Sequence, residues 1–438
     1  MSVGDIERKT QDRVIKLFCD SLGYEYLGNW EDRPENSNIE RELLIRFLKR
    51  KYDNTLIQKA MAEFEKVSTN QTKSLYEVNK DVYTLLRYGV QVKENIGENK
   101  KTVRLIDWEN PEDNDFCIAE EVTIRGQHDK RPDIVLYVNG IALAVLELKR
   151  STISVSEGIR QNLDNQRDVF IKSFFATIQL VMAGNDTEGL RYGVIGTPEK
   201  YYLTWKEQIG LRNRLDKNLV AMCRKGRLLE LIHDFIVFDS GVKKISRHNQ
   251  YFGVKAAQDY LKRREGGIIW HTQGSGKSLI MIWLAKWIRE NIKDSRVLII
   301  TDREELDGQI EKFFLGVDEK IYRTKSGRDL IRCLNETTPW LLCSLIHKFG
   351  RKAPLEGDEY DEYLNEINSS IPKDFRVKGD LYVFVDECHR TQSGKLHEAM
   401  KNILPNAVFV GFTGTPLLSR LAVWTSSRST LDSLGSPQ

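Results

Sequence analysis

Cysteine is scarce in this sequence, and it is not arranged as a metal site. The chain has 438 residues, with no Cys-x-x-Cys pair and no histidine partner at zinc-ligand spacing. Its six cysteines are scattered: Cys19, Cys117, Cys223, Cys333, Cys343 and Cys388. This pattern excludes a zinc-finger protein, and we expect reduced intracellular thiols.

Long apolar runs are also missing. Apolar runs such as 141–146 are far shorter than the roughly 20 residues that a membrane-spanning helix requires. The first ten residues contain no apolar signal region. We therefore expect a soluble, cytoplasmic protein with no membrane partner.

Charge of one sign is not in excess. The chain has 66 basic and 63 acidic residues, for a formal net charge of +3. Net charge therefore neither supports nor excludes a nucleic-acid partner, and any such contact must come from local basic patches. The length allows two or three domains, each with a core of its own.

The second part of the chain alternates apolar strands with helical segments. Strands are predicted at 267–270, 297–301, 340–344, 381–385 and 407–411. Such an alternation predicts a parallel α/β sheet.

A glycine-rich turn follows the first of these strands. It has the sequence Thr272-Gln273-Gly274-Ser275-Gly276-Lys277-Ser278, and an apolar helix begins after it. Such a turn directs backbone N–H groups and a helix N-terminus at phosphate oxygens. Lys277 would pair with the β and γ phosphates of ATP, and the Ser278 hydroxyl would bind Mg²⁺. A purely structural glycine turn is the alternative.

Two carboxylates end a later apolar strand. Asp386 and Glu387 follow the run 381–385, about 110 residues after the glycine-rich turn. Asp386 can hold Mg²⁺ through water, and Glu387 can polarise the attacking water, which is what phosphate hydrolysis requires. Taken alone, the pair could equally be a surface loop.

A second group of charged residues lies in the first part of the chain. Between Val135 and Leu148, two apolar runs separated by Asn139-Gly140 predict a buried hairpin. Asp133 precedes the first run, and Glu147 and Lys149 end the second on one face of their strand. Charged groups in a core-like run are costly unless something binds there. Two carboxylates and a lysine could bind Mg²⁺ beside a scissile phosphate.

The hairpin register decides whether these side chains meet. With a simple two-residue turn at Asn139-Gly140, Asp133 would pair with Leu146 and point away from Glu147. A three-residue loop, or an equivalent bulge, would place Asp133 opposite Val145 and on the Glu147 face. We predict the second geometry.

These motifs resemble those of known families. Asp133, Glu147 and Lys149 resemble the PD-(D/E)xK nuclease motif, and Gln161 fits the glutamine that supports related sites, although Asn165 stands at their tyrosine position. The remaining motifs are similar to those of superfamily 2 helicase-type motors. They are the adenine-reading Gln250, the DEAH-type box from Asp386 to His389, and the coupling motif Thr413-Gly414-Thr415.

A nuclease of this kind joined to such a motor is similar to the restriction (R) subunit of type I restriction-modification enzymes. The resemblance implies an α/β protein, with a PD-(D/E)xK endonuclease domain at 1–245 and the first RecA-like motor lobe at 246–438. The segment 418–438 is expected to be an irregular tail. Because no second lobe follows Thr415, we expect a truncated chain with weak or no ATPase of its own.

The resemblance also implies cofactors and partners. These are ATP and Mg²⁺, double-stranded DNA, and methyltransferase and specificity subunits, the former supplying S-adenosylmethionine. ATP-driven translocation of DNA would precede its cleavage. Two other interpretations stay open: a stand-alone helicase-nuclease of defence or repair, and a catalytically idle fragment that only binds DNA or nucleotide.

Overall fold

The computed structural model describes residues 3–95, 97–272, 274–301, 304–345, 371, 375–386, 403–414 and 423–424. The chain divides into two compact units, Met1–His248 and Asn249–Gln438. Among the described helices, none combines the length and the apolar composition that a membrane span requires.

The first unit mixes helices and strands. Its helices are α1 (Val3–Lys16, extended by a π-helical turn, Leu17–Ser21), α2 (Arg41–Leu48), α3 (Asn54–Ser68), α4 (Leu75–Tyr88), α5 (Val155–Asn165), α6 (Arg214–Cys223) and α7 (Lys225–Asp234). Its strands are β1 (Glu25–Asn29), β2 (Val90–Val92), β3 (Lys101–Val103), β4 (Phe116–Glu120), β5 (Ile134–Val138), β6 (Ile141–Leu148), β7 (Leu180–Asn185), β8 (Gly189–Gly193), β9 (Ile236–Asp239) and β10 (Val242–Ile245).

A six-stranded mixed sheet forms the centre of this unit, in the order β1-β4-β5-β6-β7-β8. Strands β5 and β6 are antiparallel, whereas β6 and β7 are parallel and are connected through α5. Every residue of β5 and β6 is buried, as the apolar runs predicted. The short hairpins β2–β3 and β9–β10 lie outside this sheet.

The β5–β6 hairpin has a tight turn and a bulge. Asn139 and Gly140 both have positive φ, at 53° and 80°, as two-residue hairpin turns require. Val138 pairs with Ile141 across this turn. One residue of β6, Leu143, is then skipped, because Leu136 pairs with Ala144 while Tyr137 pairs with Ala142.

The second unit contains the parallel sheet that the alternating pattern predicted. After α8 (His248–Lys262), its elements are β11 (Gly267–Trp270), α9 (Lys277–Asn291), β12 (Ser295–Thr301), α10 (Glu304–Gly316), β13 (Tyr322–Arg323), α11 (Gly327–Leu334), β14 (Leu341–Leu345), β15 (Asp380–Asp386), β16 (Val408–Thr413) and β17 (Val423–Trp424). The strand order is β13-β14-β12-β15-β16-β11-β17, and every recorded pair is parallel. The α/β fold class is confirmed.

Three predicted site residues, Glu387, His389 and Thr415, lie outside the described residues. Most of the segment 418–438, which we expected to be irregular, lies outside them as well. Within that segment, Val423–Trp424 forms β17 and pairs with β11.

Candidate functional site

The bulge in β6 brings the predicted carboxylates to one face of the first unit's sheet. Ile134 pairs with Leu146, and continuing that register by one residue places Asp133 opposite Glu147. The predicted register, with Asp133 opposite Val145, is therefore wrong by two residues. Asp133 and Glu147 nevertheless lie on the same face of the sheet, as predicted, because side chains alternate between the two faces with a period of two residues. The prediction was a three-residue loop or an equivalent bulge, whereas the structure has a two-residue turn and an extra residue in β6.

The three charged side chains form one cluster. The Lys149 Nζ lies 4.0 Å from Asp133 Oδ2 and 3.9 Å from Glu147 Oε2. The backbone N–H of Leu148 donates to Asp133 Oδ2 at 2.6 Å. The structure thus brings Asp133, Glu147 and Lys149 together.

Glu147 is the most isolated member of this cluster. Its side chain is 0% exposed. Neither oxygen receives a hydrogen bond from an N–H or a hydroxyl among the described residues, and its side-chain partner is the Asp133 carboxyl. Burial, together with the negative charge of Asp133, raises the pKa of Glu147 well above its ordinary value. Burial also raises the pKa of Asp133 to about 6, although the Lys149 ammonium opposes this shift. Two carboxyl groups buried against each other are costly to ionise, so the cluster fits a bound cation.

Helix α5 packs directly over this cluster. A Cβ on Gly158 would lie 3.4 Å from the Cβ of Glu147 and 3.5 Å from the Cγ of Lys149. Gln161 follows one turn later and is partly exposed. Asn165, at the tyrosine position of related nucleases, is 0% exposed. Its side-chain amide has no hydrogen-bond partner in the part of the chain that the structure describes.

Two further residues near the cluster were missed at the sequence level. Glu121 donates its backbone N–H to the Asp133 carbonyl at 2.9 Å. Its side chain accepts from Gln11 at 3.0 Å and pairs with Arg131 at 2.8 Å. Local sequence contains no signal for this contact, since α1 supplies Gln11 from 110 positions away. Gly158 could have been noticed as an isolated glycine inside a helical pattern.

The glycine-rich turn of the second unit has the backbone that phosphate loops require. Gly274 and Gly276 have φ of 77° and 82°, values that L side chains rarely adopt. Helix α9 begins at Lys277 directly after this turn, so Lys277 and Ser278 occupy its first turn. Thr272 is exposed and Ser275 is buried.

Strand order places the other predicted ATP-site residues at the same edge of the parallel sheet. Strand β16 lies between β11 and β15, and Trp270 pairs with Thr413 while Asp386 pairs with Phe412. The ends of β11 and β15 are therefore two strand spacings apart, roughly 10 Å. Asp386 is 6% exposed and Thr413 is 0% exposed, and both lie at the carboxyl end where α/β proteins bind ligands.

Gln250 and His271 connect α8 to the glycine-rich turn. The Gln250 Nε2 donates to the Ser275 carbonyl at 2.7 Å. The His271 ring Nδ1 lies 3.3 Å from Asn249 Nδ2, and its backbone N–H donates to the Thr413 carbonyl at 3.0 Å. Burial and the Lys277 charge lower the pKa of His271 to about 4, so the ring is neutral at pH 7.

Comparisons with known proteins cover both units. The family of type I restriction enzyme R protein N-termini matches residues 7–200, and the SWI2/SNF2 ATPase family matches residues 249–436. The putative type I restriction enzyme MjaIXP endonuclease subunit of Methanocaldococcus jannaschii is 28% identical over 91% of this chain and 41% of that protein. The type I restriction enzyme HindI endonuclease subunit of Haemophilus influenzae is 28% identical over 95% of this chain and 43% of that protein.

A solved structure is also similar, but only weakly. The SWI2/SNF2 ATPase core of Sulfolobus solfataricus in complex with double-stranded DNA aligns with 42% of this chain and 34% of its own. The identity is 14% and the TM-score is 0.28. The chain spans about two fifths of the length of the curated relatives named above. The chain is thus similar to type I restriction enzyme endonuclease subunits over 91–95% of its length, with an R-protein N-terminus match in its first part and a SWI2/SNF2 ATPase match in its second part.

Proposed function

We propose that the first unit is a Mg²⁺-dependent endonuclease that cuts double-stranded DNA with Asp133, Glu147 and Lys149. The observation that carries this proposal is the buried pair of carboxyl groups, in which Glu147 is 0% exposed and contacts Asp133 but receives no N–H or hydroxyl hydrogen bond from the described residues. Such a pair is costly in a protein that binds nothing there. The curated relatives are named endonuclease subunits, which supports the same assignment.

The residues present fit Mg²⁺ better than they fit a purely structural ion pair. Mg²⁺ is usually bound through one or two carboxylates together with substrate phosphates, and Asp133 and Glu147 supply two carboxylates on one face. A bound cation would polarise the scissile phosphoryl group and lower the pKa of a water molecule. It would also offset the burial and the mutual repulsion that raise the pKa of both carboxyl groups.

Lys149 has a separate part in this proposal. Its ammonium lies about equally far from the two carboxylates, so it can orient water and stabilise the negative charge that develops on the phosphate. Gln161 is proposed as a supporting polar group, because it lies one turn beyond the glycine that contacts the Glu147 and Lys149 side chains. Asn165 stands at the position of the tyrosine in related sites and has no hydroxyl to supply. Its amide is also buried.

We propose that the second unit binds and hydrolyses ATP with Mg²⁺. Lys277 and Ser278 begin the helix that follows the glycine-rich turn, and the backbone N–H groups of that turn would bind the phosphates. The remaining proposed nucleotide-site residues are Gln250, Thr272, Gly274, Ser275, Gly276, Asp386, Glu387, His389, Thr413 and Thr415. Of these, Asp386 is the proposed Mg²⁺ partner of Ser278, and Glu387 is the group that polarises water.

At the scale of the whole enzyme, we propose a type I restriction endonuclease that moves double-stranded DNA with ATP before cutting it. Its partners would be methyltransferase and specificity subunits, because the relatives are named as endonuclease subunits of type I restriction enzymes. S-adenosylmethionine would enter only through the methyltransferase.

Nicking of supercoiled plasmid tests the nuclease proposal. Removing one metal-binding carboxylate with Glu147→Gln should lower Mg²⁺-dependent nicking by about 100-fold or more. Glu63→Gln, on the exposed side of α3, is the matched control and should leave nicking unchanged. Equal nicking by the wild type and Glu147→Gln would remove this assignment, and the idle-fragment interpretation would then be the better one.

A further inference from the structure

A lysine in the first unit is buried without a counter-ion among the described residues. Lys243, on β10, is 3% exposed, and its Nζ donates to Asn79 Oδ1 at 2.7 Å and to Gln179 Oε1 at 2.6 Å. Burial lowers the pKa of its amine well below the ordinary value. Placing an amine there is costly, and a methionine would fill similar space, so the two hydrogen bonds require an explanation.

Both partners of Lys243 hold the turn that leads into β7. The Asn79 Nδ2 donates to three carbonyls of that turn, those of Phe175, Ala176 and Ile178, at 3.1, 2.9 and 2.8 Å. The Gln179 Nε2 donates to the Thr177 carbonyl at 2.9 Å. All four consecutive carbonyls from 175 to 178 therefore accept from two side chains that are both bound to the one amine.

This turn contacts the residue that sets the hairpin register. The backbone N–H of Gln179 donates to the carbonyl of Leu143 at 2.7 Å, and Leu143 is the extra residue of the β6 bulge. Without that extra residue, Asp133 would face Leu146 and point to the opposite side of the sheet from Glu147. The bulge is thus the feature that pairs the two carboxylates.

We propose that Lys243 is a positioning residue for the Asp133–Glu147 pair, acting through Gln179 and the Leu143 bulge. The effect of Lys243 on DNA cleavage rests on the nuclease function proposed above. Its hydrogen bonds to Asn79 and Gln179 are observed independently of that function. Lys243 lies beyond residues 7–200, which the N-terminal family model matches. The β9–β10 hairpin is therefore part of the machinery that forms the cutting site, and not only a connection to the second unit.

Amide hydrogen exchange in the full chain tests this role without requiring activity. Two amides report on the proposed connection: that of Gln179, bonded to Leu143, and that of Leu148, bonded to Asp133 Oδ2. In Lys243→Met we expect both to exchange at least about tenfold faster. The Mg²⁺ concentration for half-maximal nicking should also rise about tenfold, as is typical when a supporting contact of a metal site is removed. The control is Lys244→Met, the same substitution at the next residue, where Lys244 pairs with Asp239.

Each outcome decides the proposal. Unchanged exchange at Leu148 in Lys243→Met overturns it, as does an equal acceleration throughout β4, which would indicate general destabilisation only. An unchanged Mg²⁺ requirement in a variant that still nicks overturns it as well. If Lys243→Met does not fold, Gln179→Met removes one acceptor and keeps the backbone donor, and the same two amides are measured. If the wild type does not nick, the nuclease proposal fails, and exchange at Leu148 still decides the positioning role.

Discussion

Glu147 combines complete burial with an ionisable group that receives no N–H or hydroxyl hydrogen bond from the described residues. Its apolar neighbours on β6 come from the same run that makes the strand a core element. The carboxyl group is therefore held in place by apolar packing and by its contact with the Asp133 carboxyl. Such preorganisation costs stability in the ion-free protein, and the bound cation would recover that stability.

This cost predicts how stability depends on pH. With raised pKa values for Asp133 and Glu147, the folded state binds more protons than the unfolded state once pH exceeds about 4. Stability of the ion-free wild type should therefore fall as pH rises from about 4 to beyond about 6. Glu147→Gln removes the repulsion and should be more stable than the wild type at pH 7 by about 1–3 kcal/mol.

Calorimetric melting with a chelator, at pH 4.5 and 7, measures this difference. Mg²⁺ should raise the melting temperature of the wild type and leave that of Glu147→Gln unchanged. The prediction would be contradicted if the wild type became more stable on going from pH 4.5 to pH 7 while Glu147→Gln did not.

At the scale of elements, helix–strand contacts depend on glycines where the backbone must approach closely. Helix α5 lies closest to the nuclease-type cluster at Gly158, and α8 lies close to His271, just before the glycine-rich turn, at Gly253. A Cβ on Gly253 would lie 2.8 Å from the His271 Nε2, which is closer than real Cβ contacts allow. The ring already occupies a buried site beside Asn249, so it has little room to move.

Gly253→Ala should therefore weaken nucleotide binding. Overpacking of this kind costs about 1–3 kcal/mol, and we expect the dissociation constant of a fluorescent ATP analogue to rise about tenfold. The matched control is Gly308→Ala on α10 in the same unit, where an added Cβ meets nothing within 4 Å. Equal affinity in both variants would show that α8 does not need this close approach to His271.

At the scale of the whole molecule, the two candidate sites belong to different compact units. Each has its own carboxylates and its own lysine, and the two units are matched by different family models. Folding of each unit around its own sheet would allow one chain to carry the two phosphate chemistries proposed above. A substitution at one site should then leave the other site's ligand response intact.

A pair of variants tests this separation in the full chain. Lys277→Ala should abolish the rise in melting temperature caused by an ATP analogue and leave Mg²⁺-dependent nicking within about twofold of the wild type, because the effects of substitutions add when they share no partners and the two sites lie in separately packed units. Glu147→Gln should lose Mg²⁺-dependent nicking and keep the rise in melting temperature caused by the ATP analogue. Loss of nicking in Lys277→Ala would mean that the cutting site depends on nucleotide bound to the second unit.

Much of this protein could be predicted from its sequence. The alternating strands of the second unit, the glycine-rich turn and the apolar runs on either side of Asn139-Gly140 depend on residues close together in the chain. Local φ preference and apolar periodicity decide these features. The same is true of the acidic residues at strand ends, which is why the motifs and the family resemblance are visible in the sequence alone.

Only the tertiary structure decided the features that connect distant residues. The position of the bulge at Leu143, the isolation of Glu147, and the network from Lys243 through Gln179 each depend on contacts across tens of residues. The composition of an apolar run does not show where a bulge lies. A bulge on either strand keeps Asp133 on the same face of the sheet as Glu147, but it changes which residue lies opposite Asp133. The sequence by itself determined which chemical groups are available and on which kind of element. Packing between distant segments decided which of them meet, because burial and register are properties of the assembled sheet.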